Sequence, residues 1–191
     1  CDGMGNMTAL NDWLANNGGA TASDVCSGVT WSNDFVALSD DCGATGSATV
    51  IFTATDDCGN ASSTTATFTI EDTTNPSIDM MAEDSTVECD GMGNMTALND
   101  WLANNGGATA SDACGGVTWS NDFVALSDDC GATGTTTVIF TATDDCGNAS
   151  TTTATFTIED NLMPEFTFVP ADYTAECSDC LLYTSDAADE W

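Results

Sequence analysis

The chain has 191 residues, of which 31 are Asp or Glu and none is Lys, Arg or His, for a net charge of −31. It therefore forms no side-chain salt bridge and offers no imidazole as general base and no amine for a Schiff base. It also has no cations to lay along a nucleic acid or against an anionic membrane surface. Counter-charge must come from the medium: salt, which at about 1 M shortens the Debye length to about 3 Å, or divalent cations. Among these, Ca²⁺ favours the oxygen donors that this chain supplies.

Residues 1–72 and 89–160 are the same sequence offset by 88 positions, with five differences: Val25/Ala113, Ser27/Gly115, Ser47/Thr135, Ala48/Thr136 and Ser63/Thr151. The cysteines keep the same period, so Cys1, Cys26, Cys42 and Cys58 recur as Cys89, Cys114, Cys130 and Cys146, and Cys177 opens a third set. The expected domains are residues 1–72, a first repeat lacking its opening strand; 73–160, a complete second repeat; and 161–179, the start of a diverged third. Pro164 to Cys177 aligns with Pro76 to Cys89. Residues 180–191 break the pattern and resemble a translated sequencing adapter, which makes Cys180 non-native and the chain a piece of a longer reading frame.

In the second repeat, residues 77–88 are strand-like with a break near Glu83 and Asp84. Residues 94–104 form a short helix, with Asn94 as cap and Met95, Leu98 and Leu102 on one face; Gly106 and Gly107 end it. Short strands follow at 107–112 and at 117–121, the second with Val117 and Trp119 inward. The strand at 135–143 puts Val138, Phe140 and Ala142 on one face. The turn 144–148 has Gly147 at a positive φ. The strand at 152–159 turns Ala154, Phe156 and Ile158 inward and Thr153, Thr155 and Thr157 outward. Period-two strands between turn signals predict an antiparallel β-sandwich, and a unit under about 90 residues buries little surface, which two disulfides would supplement.

The Pro-Ala-Asp-Tyr-Thr-Ala-Glu-Cys opening, the Ala-Ser-Asp-Ala-Cys-Gly element and the Thr-Ala-Thr-Asp-Asp-Cys-Gly-Asn-Ala-Ser turn resemble hyalin-repeat (HYR-type) immunoglobulin-like domains. They are most similar to the tandem copies in large surface adhesins of marine Bacteroidetes-type bacteria, and the resemblance covers residues 1–179. It implies an all-β fold of tandem antiparallel immunoglobulin-like β-sandwiches, here with one short helix per repeat, at an extracellular or cell-surface location. In such a sandwich Cys114 and Cys146 fall at one end and Cys89 and Cys130 at the other. The expected cystines are therefore Cys114–Cys146 and Cys89–Cys130, with Cys26–Cys58 and Cys1–Cys42 in the first repeat. No Cys-x-x-Cys pair favours a metal outside Cys177 and Cys180, and cystines imply an oxidising compartment.

The end holding Cys114 and Cys146 also carries Asp112, Asp144, Asp145 and Asn148, and the preceding repeat delivers Glu71 and Asp72 to it. These six are the candidate calcium ligands, which would stiffen the array at its junctions. Asp128-Asp129 and Asp40-Asp41 are loop residues; a glycosidase pair is disfavoured because the same pair recurs in each copy without a cleft. Trp31, Trp119, Trp13 and Trp101 are expected to pack rather than stack on glycans, and the outward threonines to be an exposed strand face rather than an ice-binding array. Asn6, Asn60, Asn94 and Asn148 match the N-glycosylation pattern. A catalytic site is seldom needed twice in tandem, whereas a spacer or a multivalent binder gains from each copy. The chain is thus read as non-enzymatic: a spacer segment of a large adhesin whose partners are neighbouring repeats. The alternatives are a multivalent glycan- or protein-binding module and an accessory domain of a secreted hydrolase. The unchanged acidic loops at 39–43 and 55–60 favour the spacer.

Overall fold

A computed structural model gives the structure of the protein, with residues 1–174 described. Cys177, Cys180 and residues 180–191 lie outside the described residues. The first repeat comprises α1 (Met7–Ala15), a 3₁₀ turn (Asn17–Gly19), β1 (Val29–Asn33), β2 (Gly46–Asp56) and β3 (Ala61–Ile70). The second comprises β4 (Ser77–Met80), β5 (Ser85–Glu88), α2 (Met95–Ala103), a 3₁₀ turn (Asn105–Gly107), β6 (Thr109–Ser111), β7 (Val117–Asn121), β8 (Gly134–Asp144) and β9 (Ala149–Glu159). The chain is all-β with one short helix per repeat.

Strand alternation places the core. In β8 and β9, antiparallel with Val138 opposite Ala154, the inward side chains Val138, Phe140, Ala142, Ala154, Phe156 and Ile158 are all buried. The outward threonines pair across the strands instead: Thr137 and Thr155 hydroxyls stand 3.1 Å apart, and Thr49 and Thr67 2.9 Å in the first repeat. Helix α2 lies over the sheet, burying Leu98 against Phe156 and Ile158. Its Trp101 meets Phe140 edge-on at 5.2 Å and Phe156 at 5.5 Å. Trp13 repeats this on Phe52 and Phe68 at 5.2 and 5.4 Å, so these tryptophans pack, as expected from sequence.

Residues 77–88 break where expected, and the break lets the chain change sheets. β4 pairs antiparallel with β6, whereas β5 joins the large sheet beside β9, giving the order β5-β9-β8-β7. The β5–β9 pairing is parallel, a departure from a wholly antiparallel sandwich. Between the two strands, the Ala82 N–H donates to the Thr152 hydroxyl and the Thr155 N–H to the Asp84 carboxylate. Trp101 Nε1 donates to the Glu83 carbonyl at 3.1 Å.

Two local expectations are corrected. Asn94 occupies the N-cap in the left-handed region, φ 49°, and makes no side-chain cap; its amide instead accepts from Asp90 N–H and donates to the Glu88 carbonyl, tying the helix start to β5. Met95, expected on the packed face, is 53% exposed. Residues Cys1–Asp160 form one compact unit. Residues 161–174, in the second unit, contain no helix or strand and are exposed throughout.

Candidate functional site

The chain's chemistry gathers where the first repeat meets the second. Cys1 and Cys42 lie together at the far end of the first repeat, and Cys114 and Cys146 together at the near end of the second. Cystines join them across the boundary: Cys1–Cys114 and Cys42–Cys146, with Cα–Cα distances of 5.8 and 5.1 Å and sequence separations of 113 and 104. The expected pairings Cys1–Cys42, Cys114–Cys146, Cys26–Cys58 and Cys89–Cys130 do not form; Cys26, Cys58, Cys89 and Cys130 are free thiols. The sorting of cysteines to the two ends is as expected, but each end finds its partners on the neighbouring repeat. Head-to-tail contact brings the two ends face to face.

Backbone contacts hold the same surface. The Ala44 N–H donates to the Cys114 carbonyl at 2.6 Å, and the Cys42 carbonyl lies 3.3 Å from Cys146 Sγ. Gly3 and Gly43, at φ 72° and 55°, run against the second repeat so closely that a Cβ would overlap the Ala113 and Cys114 carbonyl oxygens respectively. Only glycine tolerates both the dihedral and the approach. Neither glycine was singled out from sequence. The usable signal was their place beside Cys1 and Cys42.

The six expected metal ligands are only partly brought together. Asp72 and Asp112 carboxylate oxygens and Cys114 Sγ lie within 4.8 Å of one another. That sulfur is in a cystine and offers no thiolate. Asp144 is buried and accepts from the Cys146 and Asn148 N–H groups and from the Asn148 amide. Burial works to raise its carboxyl pKa, but the Asn148 side chain and these N–H groups outweigh it and hold the group below the ordinary value. Asp145 accepts from the Gly116 N–H at 2.8 Å. Asn148 donates to the Asp72 carbonyl at 3.2 Å, fixing the linker to the turn. Glu71 receives the Cys1 amino group on its main-chain carbonyl, 3.2 Å away. Most of the six are therefore spent on turn and junction geometry. Asp72 and Asp112, which themselves accept from the Thr74 and Cys114 N–H groups, stand together as a carboxylate pair, fewer donors than the six to eight oxygens Ca²⁺ takes.

Around the corresponding end of the first repeat the same loops stand open. Cavities of about 150 and 270 Å³ run beside residues 21–24 and the start of β3; Asp24, Asp56 and Asn60 line the first, Trp31, Ala54 and Thr64 the second. In the second repeat this strip is covered by β4 and by Ala82, with Pro76 buried at its end.

No family model matches the chain, and no curated protein matches it. Among solved structures the chain is similar to one described as the protocadherin gammaB7 EC3-6 cis-dimer, with 14% identity and a TM-score of 0.28 over 69% of this chain and 42% of that one. The chain spans less than half the length of that structure's chain, and a likeness this slight says nothing of function. Among the described residues no helix is long and apolar enough to cross a membrane.

Proposed function

We propose that the chain is a spacer: tandem extracellular repeats of the hyalin-repeat kind, part of a large cell-surface adhesin, in which each repeat is a rigid bead fastened to the next. The observation that carries this is the pair of cystines between repeats, Cys1–Cys114 and Cys42–Cys146. Two covalent ties at separate points of one face prevent rotation about the linker, which a single tie would allow. Cystines persist in oxidising compartments, which fits a secreted or surface location. Tryptophans committed to packing and acidic loops at 39–43 and 55–60 that repeat unchanged fit a spacer better than a ligand-binding face. No catalytic role is assigned to any residue.

In the chain-entropy account, closing a loop of about 100 residues stabilises by about 4–5 kcal/mol, and the second tie adds less because the first has already closed the loop. Non-reducing peptide mass analysis of oxidised chain should recover Cys1–Cys114 and Cys42–Cys146 peptides. Small-angle scattering should show a broader distance distribution after reduction. Recovery of Cys1–Cys42 and Cys114–Cys146 instead would remove the stapled junction.

A further inference from the structure

The large sheet of the second repeat has two unlike faces. Its inner face holds the core. On its outer face, every second residue from Thr135 to Thr143 and from Thr151 to Thr157 points away from the core, joined by Thr118 and Ser120 of β7. Ile139, 42% exposed, is the one apolar member, and the others are all Thr or Ser. No carboxylate, amide or aromatic ring stands among them, in a chain with 31 Asp and Glu. Asp122 and Asp84 sit at the rim, accepting from the Ile139 and Thr155 N–H groups, both at 2.8 Å. Glu88 and Glu159 close one end. The first repeat repeats this face, from Ser47 to Thr55 and from Ser63 to Thr69, with Ile51 also 42% exposed. It does so without a β4 or β5 of its own, so the face belongs to the sheet and not to what flanks it.

A hydroxyl is costly to bury unless it is hydrogen-bonded. Many of these are already bonded within the sheet. Besides Thr137 with Thr155 and Thr49 with Thr67, the Thr135 and Thr157 hydroxyls stand 3.4 Å apart and those of Thr53 and Ser63 3.0 Å. Thr118 donates to the Thr143 carbonyl at 3.2 Å, and Thr30 to that of Thr55 at 3.1 Å. What such pairs have left to offer a partner is chiefly methyl surface, so covering the face costs little. Of the five differences between the repeats, Ser47/Thr135 and Ser63/Thr151 fall on it, and each exchanges one hydroxyl for another.

We propose that this face docks on the same face of a second copy, so that neighbouring chains lie side by side. Charge selects that occupant. Copies with a net charge of −31 repel one another, and contact is least opposed where both approaching surfaces are uncharged. A cationic partner would seek the acidic loops instead, and a glycan the aromatic platforms or polar forks that this face lacks. Size agrees. A strand of 11 residues spans about 36 Å and three strands about 14 Å, so one face offers about 500 Å². Two such faces together bury about 1,000 Å², the floor for a specific contact, and engagement of both repeats doubles it. Because the two repeats carry the same face, either repeat of one copy fits either repeat of the next. Sheets stacked in this way lie about 10 Å apart with their strands about 30° from parallel. The rim acids of the two copies then come close, so association strengthens as salt shortens the Debye length from about 10 Å at 0.1 M to about 3 Å at 1 M. The contact goes beyond the spacer function and needs the sheets, not the cystines.

Sedimentation of the full chain, with its free thiols capped by iodoacetamide, should show reversible self-association whose constant rises at least about tenfold between 0.1 and 1 M NaCl. Ile51→Asp/Ile139→Asp puts a carboxylate in the middle of each face and should weaken association at least about tenfold. Val36→Asp/Val124→Asp adds the same charge on loops, where the valines are 92% and 91% exposed, and should change it less than about twofold. Ile51→Thr/Ile139→Thr keeps the face uncharged and should associate within about threefold of the native chain, which separates a lost contact from a lost fold. A chain that stays single at every salt concentration overturns the inference. So does an equal loss in the two Asp variants, or association that Ile51→Asp/Ile139→Asp leaves unchanged. Retention of single chains on an insoluble neutral polysaccharide, abolished by Ile51→Asp/Ile139→Asp, gives the face another occupant and also overturns it. None of these results bears on the Cys1–Cys114 and Cys42–Cys146 peptides, so the stapled spacer stands or falls separately.

Discussion

The two repeats differ at five positions in 72, yet their sheets are not equally buried. In β9, Thr152, Ala154, Phe156 and Ile158 are buried; in β3, the matching strand, only Ile70 is. The five substitutions do not cause this, since none removes a core side chain. The cause is residues 73–88, which open the second repeat and bring β4 to β6 and β5 to the edge of β9. The same strand sequence is thus a central strand in one repeat and an edge strand in the other. Burial here is conferred by neighbours, and a repeat is finished by the segment before its first cysteine.

The contrast can be broken most sharply at the phenylalanines. Phe156→Ala should destabilise the chain by about 3–5 kcal/mol, as for a fully buried ring. Phe68→Ala, at a half-buried position, should cost about half as much; urea midpoints compare the two. Equal losses would mean that β5 adds no cover. Next in size is the indole. Trp101→Phe removes the bond to Glu83 as well as ring area, so it should cost about 1 kcal/mol more than Trp13→Phe, which has no segment 82–84 beside it.

Acid should weaken both turns. Asp56 is held below the ordinary carboxylate value by the Asn60 side chain and by backbone N–H groups, and Asp144 is likewise lowered. A carboxyl whose folded pKa is depressed stabilises fully above its unfolded value, about 3.9, and loses that contribution as pH falls through the folded value. Urea midpoints of the native chain should therefore fall towards those of Asp144→Asn as pH drops below about 4, with the gap constant above about pH 5. The smallest effect concerns calcium. Millimolar Ca²⁺ should ease repulsion between Asp72 and Asp112 and raise the melting temperature by about 2 °C, and Asp72→Asn should abolish that rise.

Much of the second repeat was legible in its sequence because strand and helix periods are local. The inward sets Val138, Phe140, Ala142 and Ala154, Phe156, Ile158 follow from alternation, and the break at Glu83 and Asp84 marks where the chain changes sheets. The parallel pairing of β5 was not legible, because four residues carry no direction signal. The Asn94 cap failed because the Asp90 N–H claims the side-chain oxygen that would have accepted from the helix. The cysteines failed for another reason. In a repeated sequence Cys114 looks the same to Cys146 as to Cys1, so spacing cannot separate a tie within a unit from one between units. The placement of the cysteines at opposite ends, in a chain whose ends meet, was the usable clue.

The bond between Cys1 and Cys114 also sets how the molecule answers tension. A pull applied at Cys1 crosses directly into the second repeat, so the 113-residue span between the two sulfurs never feels it. That shields on the order of 350 Å of contour length from being drawn out. Stretched in an oxidising medium the chain keeps its length, and a reductant lets it run.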